Sequence, residues 1–258
     1  MLTRMFLRLM ILLAAVGPLG AGSTRAVEYA SLEIRAARFF AHREWASAGA
    51  MYTLMLHERP DVPSTYGHAI VSAGMLSDTV TQTMLTHQAL TEKIPFDSIF
   101  SNVERTSFSV GQTSLYEQYL LHMRSVEPWM ARVIDAYLMR YYSYRRNPQG
   151  MIDYSMAMLR GLPDDEQALY TLAQGFLLNG EYLKSIATYS HIVQLNPRAY
   201  EALLYLGNYY ANYAVADASS RNSALLYLRR AFDLRPTPRV AATIKRLESI
   251  EKRPENKK

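Results

Sequence analysis

Prolines recur along the chain at nearly equal intervals, and this regularity constrains the fold more than any other feature. The prolines that end helical patterns are Pro60, Pro95, Pro128, Pro163, Pro197 and Pro236. Their spacings are 35, 33, 35, 34 and 39 residues. Proline lacks a backbone N–H and disfavours helical conformation in the residue before it, so it ends helices. A near-constant period of this length indicates helix–turn–helix units arranged in tandem.

The most regular unit is Asp165–Pro197, which reads as two helices joined by a tight turn. Its first half places apolar residues on one face of a 3.6-residue period, at Leu169, Leu172, Ala173, Phe176 and Leu177. Asn179-Gly180 then breaks the pattern, because glycine tolerates the left-handed backbone that ends a helix. A second periodic stretch runs from 182 to 193, and Asn196-Pro197 ends it. One such hairpin cannot bury both apolar faces, so it needs neighbouring copies.

This unit resembles a tetratricopeptide repeat (TPR). The positions that match the family pattern are Leu169, Leu172-Ala173, Phe176, Gly180, Tyr182, Ser185, Tyr189 and Pro197. Residues 29–60 and 200–236 are similar, 132–163 recovers much of the pattern, and 64–95 and 97–128 fit more loosely. The resemblance implies an all-α fold over residues 27–251, an α-solenoid of about six helix–turn–helix units in a right-handed superhelix. Residues 239–251, with apolar Val240, Ile244, Leu247 and Ile250, are predicted to form a C-terminal capping helix.

Two stretches depart from the regular pattern. The first half of 97–128 is rich in serine and β-branched residues, which are modest helix formers. It is therefore predicted to form a short helix followed by an irregular connection. The spacing of 39 residues before Pro236 indicates about five extra residues near Ala214–Asn222, and these are predicted to form a loop between two helices.

The N-terminal residues have the layout of a secretory signal peptide. Arg4 and Arg8 precede a 14-residue uncharged run, Leu9–Gly22, and small residues follow it. The run is shorter than the ~20 residues that a membrane span needs. Residues 1–26 are therefore predicted to be a signal peptide cleaved after Ser23 or Ala26, with an uncleaved anchor as the alternative. A bacterial signal of this kind directs export to the periplasm.

Charge and motif content narrow the function. Residues 27–250 carry 21 basic and 21 acidic side chains, and a neutral body does not favour nucleic acid binding. The charged tail 252–258 is predicted to be disordered. There is no cysteine, nucleotide-binding glycine motif or hydrolase motif, and no two histidines are spaced as helical metal ligands. Asp164-Asp165-Glu166 is interpreted as a helix start rather than a catalytic carboxylate cluster. We therefore expect no catalytic residues, no cofactor and no metal.

The resemblance also implies a binding surface, because the first helix of each hairpin lines the concave side of such a superhelix. The corresponding residues here are Ala136, Tyr137, Arg140, Tyr144, Gln167, Tyr170, Gln174, Leu178, Glu201, Leu204, Asn208 and Asn212. This surface is polar and aromatic rather than strongly charged. The segment Arg140–Arg146, with three tyrosines, is open to two interpretations: a binding hot spot, since tyrosine and arginine are enriched at such sites, or ordinary helix surface and turn.

The sequence therefore predicts a scaffold or adaptor that binds a partner protein or peptide in the periplasm. The alternative is a structural component of a cell-envelope assembly that contacts its partners through 97–128 and the loop 214–222. An enzyme has no residue set to support it. The sequence does not identify the partner or the oligomeric state.

Overall fold

A computed structural model describes residues 28–251, and the regular secondary structure of this part of the chain is all helical. Residues 28–41 are helical and are called α1. The helices that follow are α2 Trp45–Glu58, α3 Pro63–Met75, α4 Thr79–Thr91, α5 Phe96–Ser109, α6 Thr113–Val126, α7 Ala131–Arg145, α8 Pro148–Gly161, α9 Glu166–Leu178, α10 Tyr182–Leu195, α11 Tyr200–Tyr213, α12 Ala218–Leu234 and α13 Pro238–Glu251. A short 3-10 helix, Pro128–Met130, precedes α7. The predicted class, all-α helix–turn–helix repeats, is confirmed. The predicted signal peptide, residues 1–26, and the predicted disordered tail, 252–258, lie outside the described residues.

The chain divides into two compact units, Met1–Val126 and Glu127–Lys258. In the first unit, α3 packs closely on α5. A Cβ atom at Gly67 would lie 2.8 Å from Cβ of Asn102, so only glycine permits this approach. Tyr66, Ile70 and Phe100 are fully buried beside this contact. A glycine on α3 therefore lets the two helices approach closely beside large buried side chains.

The second unit contains α7–α13. Its hairpin α11–α12 is tight, because a Cβ at Gly207 would come within 2.7 Å of the Leu228 side chain. The final helix α13 buries Val240 and Leu247 against α11 and α12, in one apolar cluster with Leu228 and Ala224. The predicted C-terminal capping helix is thus present, and its apolar face covers the last hairpin.

The hairpin Asp165–Pro197, which we call the reference hairpin, has the predicted boundaries. The Asp165 carboxylate accepts a hydrogen bond from Ala168 N at 2.8 Å and caps α9, as expected for a helix start. Gly180 has φ +78° at the turn, and α10 ends at the residue before Asn196-Pro197. Asn147 likewise caps α8 by accepting a hydrogen bond from Gly150 N at 3.0 Å, with Pro148 as the first helical residue.

Six helix ends share one turn geometry. In each, a residue in the left-handed region follows the helix, and two backbone hydrogen bonds close the turn. At α9, Glu181 N donates to Phe176 O at 2.8 Å and Gly180 N donates to Leu177 O at 3.2 Å. The left-handed residues are Arg43, Ser77, Lys93, Gly111, Arg146 and Gly180. Four of the six turns therefore place a side chain in a conformation that glycine adopts more readily.

Residues 97–110 are not irregular, and the predicted connection there is wrong. Phe96–Ser109 is one continuous helix, α5, which buries Ile99, Phe100 and Val103. Its polar residues bond within the helix: Ser107 Oγ donates to Val103 O at 2.8 Å. The apolar stripe packs against the core and outweighs the modest helix propensity of serine and threonine.

The predicted loop 214–222 is also largely wrong. Only 214–217 separate α11 from α12, and residues 218–222 form the first turn of α12. The Asp217 carboxylate accepts hydrogen bonds from Ser219 N and Ser220 N at 3.1 and 2.7 Å. This cap starts the helix early, so the extra residues lengthen α12 to 17 residues.

Candidate functional site

The residues predicted to bind a partner lie on α7, α9 and α11, which are the first helices of three successive hairpins in the second unit. The predicted residues stand 34 apart on successive helices, as Arg140 and Gln174 do, or Gln174 and Asn208. Within each helix they are three or four residues apart, except for the adjacent pair Ala136 and Tyr137, so they share one side of that helix. We call the surface formed by these residues the first-helix face.

The first-helix face contains a cavity of about 410 Å³ between α7 and α9, which we call the arginine cavity. Its lining residues are Arg132, Val133, Ala136, Tyr137, Met139, Arg140, Met158, Asp165 and Gln167. Four of the predicted residues, Ala136, Tyr137, Arg140 and Gln167, therefore lie together. The Arg140 guanidinium lies over the Tyr137 ring, 4.8 Å from its centroid. Two arginines and one aspartate give this cavity an excess of positive charge.

A second cavity, of about 670 Å³, lies between α9 and α11, and we call it the tyrosine cavity. Its lining residues are Tyr170, Gln174, Tyr189, Glu201, Leu204, Tyr205 and Asn208. Five of these were predicted from the sequence. Helix α9 is shared by the two cavities, because Gln167 lines one while Tyr170 and Gln174 line the other.

Two lining residues of the tyrosine cavity, Tyr189 and Tyr205, were not predicted as binding residues. Tyr189 occupies one of the positions that match the repeat pattern. Only 5% of its surface is exposed, yet it is one of the residues that line the cavity. Tyr205 follows Glu201 by four residues on α11, and that spacing was the available signal. The Tyr205 hydroxyl lies 3.3 Å from Ser185 Oγ, which donates to Ala173 O at 2.9 Å. This contact fixes the Tyr205 ring.

The remaining predicted residues lie outside both cavities. Tyr144 is 77% exposed, and Leu178 and Asn212 are also exposed. All three stand near the C-terminal ends of their helices, one turn beyond the residues that line the cavities. The first-helix face therefore continues past the cavities as open surface.

The tyrosines between Arg140 and Arg146 serve different purposes. Tyr141 is buried, and the Tyr142 ring stacks on Tyr154 with centroids 5.4 Å apart and an interplanar angle of 10°. Tyr142 also lies where a Cβ at Gly150 would stand, within 2.3 Å. These two rings pack the α7–α8 hairpin, and Tyr144 is the exposed tyrosine of the segment.

Burial and nearby acidic groups raise the pKa of two phenols of the tyrosine cavity. Burial raises the pKa of Tyr189 to about 12, and the phenols of Tyr205 and Tyr170 and the Glu201 carboxylate add to the rise. Burial also raises the pKa of Tyr170, although a backbone hydrogen bond with Ala202 opposes it. Both phenols are therefore neutral at physiological pH and can donate or accept hydrogen bonds.

Residues 28–251 offer neither a metal-binding cluster nor a helix able to cross a membrane. No group of three or more histidine, aspartate or glutamate residues in this range could hold a metal ion. None of the helices in the described part is both long and apolar enough to cross a bilayer.

No protein-family model matches the chain, and no curated protein has significant sequence similarity to it. Solved structures of TPR proteins are similar over most of its length. The C-terminal part of a TPR repeat-containing protein from Cytophaga hutchinsonii is 15% identical with a TM-score of 0.41, covering 81% of this chain and 98% of that one. Pseudomonas aeruginosa pilF is 13% identical with a TM-score of 0.44, covering 88% and 99%. YrrB, a TPR protein with an unusual peptide-binding site, is 15% identical with a TM-score of 0.33, covering 82% and 88%.

Proposed function

We propose that the chain is a protein-interaction scaffold that binds an extended segment of a partner protein on the first-helix face, and that it does so in the bacterial periplasm. One observation carries the proposal: residues at equivalent repeat positions on α7, α9 and α11 line two cavities that share the helix α9. Preformed recesses lined by aromatic and polar groups are typical of binding sites.

The chemistry of the face suits a peptide backbone. Gln174 and Asn208 are exposed and stand at equivalent positions of α9 and α11. Each side-chain amide offers a donor and an acceptor, so each can pair with a backbone N–H and C=O of an extended segment. Tyr170, Tyr189 and Tyr205 supply rigid apolar surface at low entropic cost. The rigid helices hold these groups in place before a partner binds.

The binding test is a crosslinking pull-down with the mature chain, residues 27–258, as bait. The variant Gln174→Ala with Asn208→Ala removes both exposed amides without touching the core. The control Gln194→Ala removes an exposed amide from α10, away from the first-helix face. We expect one partner to crosslink to the wild-type chain and to the control, and to lose at least tenfold in yield with the double variant. Equal yields from all three baits, or no partner at all, would contradict the proposal.

The periplasmic location rests on the N-terminal pattern and has its own test. Fusing residues 1–26 to alkaline phosphatase, which is active only after export, is expected to give activity. Replacing Leu12 and Leu13 by arginine places charge in the apolar run and is expected to abolish that activity, since an uncharged central region is needed for export. Activity that survives the arginines would refute the signal.

The alternative function, a structural part of an envelope assembly, relied on irregular segments at 97–128 and 214–222. The first contains the regular helix α5, and only 214–217 lie between α11 and α12. Within 214–217, the candidate contact is Val215, a valine that is 79% exposed. Val215→Asp separates the two functions, because it spares the first-helix face and would disrupt an apolar contact made by this turn.

A further inference from the structure

The tyrosine cavity has walls suited to a positive charge. The rings of Tyr189 and Tyr205 lie 4.2 Å apart between centroids and are tilted by 32°. The Tyr170 ring meets Tyr189 edge to face, with centroids 6.1 Å apart. Aromatic faces carry negative electrostatic potential, and they attract guanidinium and ammonium groups that approach within about 6 Å of the ring. Tyr170 and Tyr205 are half-buried, so part of each ring faces the cavity.

The charges of the tyrosine cavity favour a cation as well. Glu201 is the charged residue among those that line it, and no lining residue is basic. The Glu201 carboxylate lies 3.9 Å from the Arg235 guanidinium, and both side chains are 66% exposed. Such an exposed pair is weak, because solvent screens it and 3.9 Å is a long contact. The Arg235 guanidinium is held mainly over the Tyr200 ring, 4.5 Å from its centroid. Glu201 can therefore exchange this partner for a cation held in the cavity.

The two cavities differ in charge, and this difference gives selectivity. The arginine cavity is lined by Arg132 and Arg140 with one carboxylate, Asp165. A cationic side chain is repelled there and attracted to the tyrosine cavity, only one helix away. A bound segment that placed its cationic side chain beside the two arginines would be repelled. This repulsion disfavours that placement and so sets the register of the segment.

We propose that the tyrosine cavity binds an arginine side chain of an extended partner segment. The rings of Tyr170 and Tyr205 and the Glu201 carboxylate contact the guanidinium, while Gln174 and Asn208 hydrogen-bond to the backbone on either side. Arginine is preferred to lysine, because its planar group both stacks on tyrosine and pairs with a carboxylate through two hydrogen bonds. This inference rests on the proposed function and adds the partner's chemistry to it.

The test uses pools of capped random decapeptides whose sixth residue is fixed as arginine, lysine or citrulline. Citrulline keeps the shape of arginine and removes its charge. Fluorescence polarisation with the mature chain is expected to show the arginine pool binding about tenfold more tightly than the citrulline pool, with lysine between them. The preference is expected to shrink as NaCl rises from 50 to 500 mM, because salt screens the carboxylate.

The variant Glu201→Gln is expected to reduce the arginine preference to less than threefold. Glu201 is exposed, so the variant keeps the fold, which circular dichroism verifies. The matched control is Glu248→Gln on α13, which also removes one exposed ion pair, with Arg229 at 2.8 Å, and is expected to keep the full preference.

The outcomes separate this inference from the proposed function. Equal binding of arginine and citrulline pools, or a preference that survives Glu201→Gln, overturns the arginine site. If those pools still lose affinity with Gln174→Ala and Asn208→Ala, peptide binding at the first-helix face stands. If none of the pools binds to the wild-type chain, both proposals fail.

Discussion

Replacing Gly180 by alanine tests the turn geometry that ends six of the helices. Gly180 has φ +78°, and a Cβ built there meets no atom within 4 Å. The change is therefore free of steric overlap with the rest of the chain, and only the backbone conformation opposes it. Gly161, the last residue of α8, has equally open surroundings and no left-handed φ. Gly161→Ala is the matched control.

The two substitutions are expected to have opposite signs. The left-handed conformation costs a residue with a Cβ about 1 to 2 kcal/mol. Alanine also lowers the entropy of the unfolded chain, which stabilises by about 0.4 to 1 kcal/mol. The difference for Gly180→Ala is a loss of about 1 kcal/mol in the free energy of unfolding. Gly161→Ala keeps only the favourable contribution, so it is expected to stabilise by about 0.4 to 1 kcal/mol.

The reciprocal change is Ser77→Gly, since Ser77 is exposed and has φ +59° at the turn between α3 and α4. It is expected to stabilise by about 1 kcal/mol, by the same two contributions. Urea unfolding followed by circular dichroism measures all three, and a change of 1 kcal/mol moves the midpoint by about 0.3 to 1 M. If Gly180→Ala stabilises as Gly161→Ala does, the left-handed assignment at this turn is wrong.

Three further changes probe packing, a buried hydroxyl and a helix cap. Gly67→Ala forces α3 away from Asn102 and is expected to cost about 1 to 3 kcal/mol, measured by urea unfolding. Tyr119→Phe removes the hydrogen bond of 2.9 Å to Thr86 and is expected to cost about 0.5 to 1.5 kcal/mol in the same assay, whereas an unchanged midpoint would contradict that bond. Hydrogen bonds from Ser220 and Ser219 hold the pKa of Asp217 below its usual value. The contribution of this carboxylate to stability is therefore present above the ordinary carboxyl pKa and is lost as the pH falls through the lowered one. We expect the amide protection factors in the first turn of α12, corrected for the intrinsic exchange rate at each pH, to fall at acid pH, and Asp217→Asn to remove this dependence.

The repeat period was enough to predict most helix boundaries. Proline and glycine act locally, so Asn147-Pro148 and Asn179-Gly180 mark a helix start and a helix end from sequence alone. The non-glycine turns were harder to recognise. Arg43, at φ +61°, occupies a turn position that glycine fills in the reference hairpin, and the hydrogen bonds that compensate it depend on the whole helix end.

Helix α5 shows why propensity alone misjudged residues 97–110. The apolar residues Ile99, Phe100 and Val103 recur on one face and are fully buried in the first unit. The free energy of burying that face, about 1.5 to 3 kcal/mol for each large side chain, exceeds the summed deficit of weak helix formers. That gain depends on the neighbouring helices, which the local sequence does not reveal.

The candidate site was predicted in outline because equivalent repeat positions lie on equivalent sides of successive helices. The sequence could not show which of these residues share a cavity. Tyr205 stands four residues after Glu201 and lines the cavity, but its hydroxyl also lies 3.3 Å from Ser185 Oγ on the neighbouring helix α10, a contact that the sequence does not reveal. Such contacts depend on side-chain directions that the period alone does not define.

Because α9 lies between the two cavities, it sets the spacing of the anchor residues in a bound segment. Neighbouring helices lie roughly 8 to 10 Å apart. An extended chain advances about 3.3 Å per residue. An extended segment that fills both cavities therefore needs about three residues to cross from one cavity to the other. Its anchor side chains would recur three positions apart, with an acidic or neutral anchor near Arg140 and a basic one near Glu201. Because side-chain packing sets the distance between neighbouring helices, the interval between the two anchor side chains is fixed at about three residues.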